Sequence, residues 1–242
     1  VSTEQENSGR DLGVALVAWM VDNRPALDER MKEEGSKALI QEFMAAEGGG
    51  ALPTPEERLD RARQASARAW LRHLAAAIEV NWDVAPGGFL ADVDKWLLAG
   101  EERLEALKLD EEARAEQRGR AADPNDDHRE VELRALGRLF AEGVGSTCRP
   151  GGDDGPQFAR RVVDWQSEHL LRNRELVDDA VARTTPEGLS GSEVAAPLWE
   201  RAPEVARARE AALLWARVQF LTEAIADSLM AAGPPQLEIA DA

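Results

Sequence analysis

Apolar side chains along this chain recur every three or four residues, the period of an α-helix, through nearly its whole length. No run of alternating apolar and polar residues rich in Val, Ile or Thr interrupts them. The pattern predicts an all-α protein, a multi-helix bundle of about seven to nine helices.

A first helix is expected from Asp11 to Asn23, apolar nearly all round and therefore central. Pro25 suits the start of a second, carrying Leu27, Met31, Leu39, Ile40 and Phe43, with Gly35 as a breaking point. Thr54-Pro55-Glu56-Glu57 has the form of a capping box with proline in the first turn, and predicts a long helix reaching Trp82. Pro86-Gly87-Gly88 marks a turn. A short helix with Phe89, Val93, Trp96 and Leu97 on one face follows, and Gly100 stops it. Glu101 to Arg118 is a surface helix with a narrow apolar edge at Leu104 and Leu107.

Gly119 to Asp127 is the expected linker, after which Asp127 caps a helix turned inward through Val131, Ala135, Leu136, Leu139 and Phe140. Gly143 to Pro156 holds five glycines and two prolines and is expected to be the longest loop. One helix from Gln157 to Arg183 should present Phe158, Val162, Trp165 and Leu176. Ser190 and Glu193 would cap a short helix ending near Trp199, and Pro203 would open a last long helix ending at Gly233.

Asn23-Arg24-x-x-Leu27-Asp28 has an echo in Asn173-Arg174-x-x-Val177-Asp178. The chain is therefore taken as a single domain, with two similar halves, 1–118 and 127–242 joined near 119–126, as the alternative.

Composition narrows the function. With 46 acidic against 29 basic residues the net charge is −17, which disfavours nucleic acid and anionic membranes as partners. The longest apolar run, Val14 to Val21, is far shorter than the roughly 20 residues a membrane helix needs. The one cysteine, Cys148, suits a reducing compartment, and no secretory leader opens the sequence, so a cytoplasmic location is expected. The absence of Tyr excludes any mechanism that needs a phenol.

Reactive constellations are scarce. His73, His128 and His169 lack metal-ligand spacing, and each reads best as structural. His169, expected on the apolar side of its helix near Asp164 and Glu168, is the one imidazole with a pH-sensitive reading. The acid pairs Asp126-Asp127, Asp153-Asp154 and Asp178-Asp179, and the Glu57/Asp60 spacing, read as caps or solvated charges. Cys148, expected exposed beside Arg149, reads as a passive thiol. No metal and no cofactor is implied.

Seven tryptophans on most of the helices suggest an apolar pocket between helices, with Trp70, His73, Trp165, His169 and Trp215 as its candidate ligand-binding residues. The expectation is a non-enzymatic, acidic regulatory or protein-interaction module. The alternatives are a small apolar-ligand binder with a Trp-lined pocket, and a carboxylate- and metal-dependent enzyme. The expected partner is accordingly a protein or a small apolar ligand.

Overall fold

The computed structural model describes residues 3–49, 53–118, 124–186 and 202–235. Among the described residues there are nine helices and no strand: α1 (Thr3–Asp22), α2 (Arg24–Glu47), α3 (Pro55–Asn81), α4 (Phe89–Ala99), α5 (Glu101–Arg118), α6 (Pro124–Cys148), α7 (Gly155–Glu168), α8 (Leu170–Thr184) and α9 (Pro203–Ala232). The all-α multi-helix architecture is thus the one the hydrophobic period predicts.

Several boundaries follow from local chemistry. The Thr54 hydroxyl accepts from the Glu57 amide at 3.2 Å, and the Glu57 carboxylate accepts from the Thr54 amide at 2.6 Å, so two otherwise unsatisfied donors are met reciprocally. Gly88, at φ 79°, turns the chain into α4, and Gly100 ends that helix. Gly233, at φ 81°, ends α9 in a conformation that disfavours side chains.

Other expectations are corrected. α1 is amphipathic: Leu12, Leu16 and Met20 are buried, whereas Val14 and Val21 face outward, so it lies at the edge of the core. α2 runs through Gly35 without a break, and its Leu39, Ile40 and Phe43 are exposed. α6 begins at Pro124, three residues before the expected cap Asp127, and continues to Cys148. The expected long loop therefore shrinks to residues 149–154. The single helix expected over 157–183 is two, α7 and α8, hinged at His169. The expected helix near Ser190 to Trp199 lies outside the described residues, as does the linker over 119–123.

The glycines of α6 are helical because they allow close approach. A methyl group on Gly143 would meet the Trp96 ring at 2.8 Å, and one on Gly145 would meet the Phe158 Cβ at 2.6 Å. Facing them, a methyl on Gly155 would meet the Glu142 carbonyl oxygen at 2.5 Å. These contacts seat α6 against α4 and α7.

One core cluster, which includes Leu16, Leu27, Trp70, Phe89, Leu107, Phe140, Phe158 and Ile225, joins α1 to α7 and α9. Each large side chain buried there contributes about 1.5–3 kcal/mol. A smaller cluster, Leu176, Ala180, Ala216 and Phe220, fixes α8 to α9. α1 packs along α9, and α2 along α3.

Candidate ligand site between the helices

The sequence-derived candidates fall into two groups. Trp70 and His73 share α3, and Trp215 of α9 packs on Trp70 with ring centroids 4.5 Å apart. Trp19 of α1 lies 5.1 Å from the His73 ring, and the Arg24 guanidinium sits 5.3 Å over the Trp70 ring. His73 is fully buried, with Nε2 3.0 Å from the Met20 carbonyl oxygen. A carbonyl only accepts, so Nε2 carries the proton and donates. Nδ1 is then a bare acceptor, and it has no protein partner. Burial lowers the His73 pKa below its ordinary value, against the opposing bond to Met20, and the charges of Arg30 and Arg24 lower it further.

Trp165 and His169 stand apart at the end of α7. Their rings stack at 4.0 Å with an interplanar angle of 11°. His169 is exposed, at φ −110° and ψ 32°, and its Nδ1 donates to the Trp165 carbonyl oxygen at 2.8 Å. The buried position expected for it is therefore corrected. The break turns the chain so that α8 presents Leu176 and Ala180 to α9, leaving Leu170 and Leu171 exposed. The Trp165 indole donates from Nε1 to Asp227 Oδ2 at 2.8 Å and lines an open polar cleft with Asp164, Glu168 and Ser228.

A different cavity, about 280 Å³ in volume, opens between α3, α6, α7, α8 and α9, with α5 at its rim. Its walls are apolar, supplied by Leu71, Leu136, Val163, Val218, Phe220 and Leu221. Gly137 keeps the α6 wall thin, since a methyl there would touch Leu221 at 3.4 Å. None of the five candidate residues is among those lining it. Asn173 of α8 is among its lining residues, and its amide oxygen is buried without a hydrogen-bond partner. Such an acceptor is costly, by about 1–3 kcal/mol, unless something donates to it.

The rim is charged. Arg114, Arg134, Arg138 and Arg217 line it together with Glu111 and Glu130. Arg134 of α6 donates from Nε to Glu130 Oε1 at 2.8 Å, and Arg217 of α9 reaches Glu130 Oε2 at 2.7 Å. Arg138 donates to Glu111, which is nearly buried, at 2.8 Å, and to Asp110. That bond to Arg138, helped by Arg114, holds the Asp110 carboxyl below its ordinary range. Sequence reasoning missed this site. The available signal was the Glu130–Arg134–Arg138 spacing, which aligns three charges on one face of α6 beside Leu133 and Gly137.

The remaining candidates have structural partners. Asp154 caps α7, accepting from the Gln157 amide at 2.9 Å, and Asp153 holds Arg161. Asp178 and Asp179 pair with Arg174 and Arg183 on the surface, and Asp60 with Arg63. The side chains of Asp126, Asp127 and His128 lie outside the described residues. Cys148 is buried, contrary to expectation. Its thiol donates to the Val144 carbonyl oxygen at 3.0 Å, and desolvation pushes its pKa up to about 12. Among the described residues no three His, Cys, Asp or Glu side chains gather where they could hold a metal ion. Among the same residues no helix is long and apolar enough to cross a membrane.

Compared with models of known protein families, with curated proteins and with solved structures, the chain finds no match.

Proposed function

We propose that this protein is a non-enzymatic helical binding protein that holds a small, mainly apolar ligand in the cavity between α3, α6, α7, α8 and α9. The observation that carries the reading is an apolar-walled cavity of about 280 Å³ between facing helices, with a few polar and charged side chains at its rim. Ligand sites in helical folds take this form: apolar walls between facing helices and a few polar groups that orient the guest. The volume suits a ligand smaller than drug size. The lone cysteine supports placing the protein in a reducing compartment, the cytoplasm.

Octanol tests the reading. Titration calorimetry should show saturable binding and a raised Tm, since a ligand that binds only the folded state stabilises it. Ser167→Phe, at an exposed position on the cavity lining, should abolish that binding while the protein stays folded. No saturable binding by wild type would overturn the assignment.

A second reading, a protein-interaction module, is favoured by α2. Leu39, Ile40, Phe43 and Met44 form an exposed apolar face, with Phe43 71% exposed. Runs of this kind mark partner surfaces more often than chance exposure does. Serine at Ile40 and Phe43 should leave Tm unchanged, because neither side chain belongs to a core cluster. A large drop in Tm would remove the support for this reading.

A further inference from the structure

From the rim of the cavity we infer the class of its ligand: an amphipathic carboxylate of medium chain length, its tail in the apolar cavity and its head on Arg134 and Arg217. The inference rests on the binding reading above and adds the head group.

The local charge runs against the rest of the molecule. The whole chain carries −17, yet the cavity lining holds four arginines against two acids. Counting Asp110, which Arg138 and Arg114 share, the rim still has more guanidinium groups than carboxylates. The imbalance is sharpest where α6 and α9 meet. There two guanidinium groups converge on one carboxylate, Glu130, and each gives it a single nitrogen. A guanidinium carries five N–H donors in a planar fork matched to carboxylate oxygens. The pair is thus arranged for a carboxylate, and Glu130 already occupies it as one. A second, singly charged carboxylate entering beside Glu130 would balance both arginines. A doubly charged phosphate would exceed the surplus and be repelled by Glu130. Leu133, one turn from Glu130, and Leu214, one turn from Arg217, line the same cavity, so a head on Arg134 and Arg217 leaves its tail facing the apolar walls.

Glu130 is then a competitor for the ligand's head, which gives the inference a signature that a purely structural ion pair lacks. The test is calorimetry of octanoate, octanol and octyl phosphate with the full chain at neutral pH. Wild type should bind octanoate about tenfold more tightly than octanol, the effect of one charge-assisted hydrogen bond. The double variant Arg134→Gln with Arg217→Gln should bring octanoate down to the octanol value. Glu130→Gln should tighten octanoate several-fold relative to octanol. All three sites are partly exposed, so these variants are expected to fold, and circular dichroism checks this. If octanol binds and octanoate binds no better, the head-group inference fails and the binding reading survives. If octyl phosphate binds more tightly than octanoate, or Glu130→Gln weakens octanoate, the carboxylate assignment is wrong. If neither octanol nor octanoate binds, both fall together.

Discussion

Arg103 on α5 grips Glu142 on α6 through two parallel hydrogen bonds, Nε to Oε2 at 2.8 Å and Nη2 to Oε1 at 2.6 Å. The Glu142 side chain is only 3% exposed, while that of Arg103 is 46% exposed. The acid therefore depends on the base more than the base on the acid. Arg103→Ala strands a buried charge and should cost about 2 kcal/mol, below the full buried-pair range because water reaches the arginine. Urea unfolding would measure it. Arg174→Ala, which breaks an exposed pair with Asp178, should change stability by less than about 1 kcal/mol.

His73 should make the fold acid-sensitive. Its folded pKa is lowered below 6.5 by burial, so as pH falls through 6.5 the unfolded chain takes up a proton that the folded chain refuses. The stability that follows is complete above 6.5 and is lost progressively on acidification. Replacing the ring with leucine removes both that proton and the unpartnered Nδ1. His73→Leu should therefore flatten the acid side of the stability–pH curve, measured by urea unfolding in a buffer series. An unchanged slope would count against the assignment.

The glycines at the seam of α6 with α4 and α7 should rank by what faces them. Gly155→Ala forces a methyl onto the Glu142 backbone oxygen, which cannot move without unwinding α6. Gly143→Ala presses on the Trp96 side chain, which is partly exposed and can turn away. Overpacking of this kind costs about 1–3 kcal/mol, and Gly155→Ala should sit at the upper end. Thermal unfolding of the two variants would give the order.

Cys148 should be inert in the folded state. A buried thiol bonded to the Val144 carbonyl oxygen, with a pKa of about 12, offers almost no thiolate. A thiol-labelling reagent should react at the rate of global unfolding, and urea should accelerate it to the free-thiol rate. In alkali the unfolded thiol ionises from 9.0 while the folded one does not until about 12, so stability should decline across that window. Cys148→Ala should remove that component of the decline.

Helices were legible wherever the signal was local. The capping box at Thr54 and Glu57, the glycine stop at Gly100 and the Pro203 start each depend on neighbours within one turn, and each appears in the structure. The errors arose where the deciding partner lies far along the chain. Gly143 and Gly145 look like breakers in sequence, and only Trp96 and Phe158 across the interface make them sites of close packing. The apolar period passes through His169 without interruption, so the break there, made to dock α8 on α9, leaves no mark in the pattern. Val14 looked buried because α1 carries apolar residues on its outer face as well.

The site was less legible for the same reason. Trp70, His73 and Trp215 do come together, but around one another, with Trp165 and His169 elsewhere. The cavity draws its lining from six helices, most of them giving only two or three residues, with α6 and α9 giving about two turns each. Its most informative group, Glu130 with Arg134 and Arg217, joins α6 to α9, and sequence spacing reveals only the half that lies on α6.

The pairing of α1 with α9 has a consequence for synthesis. A chain made from its amino end displays Leu12, Leu16 and Met20 long before Ile225 and Leu229 exist to meet them. Closing so wide a loop adds only slowly to the entropic cost, but contacts of this range delay folding. α1 is therefore left waiting with a sticky flank until α9 has emerged from the ribosome, which makes this interval one in which a chaperone would matter.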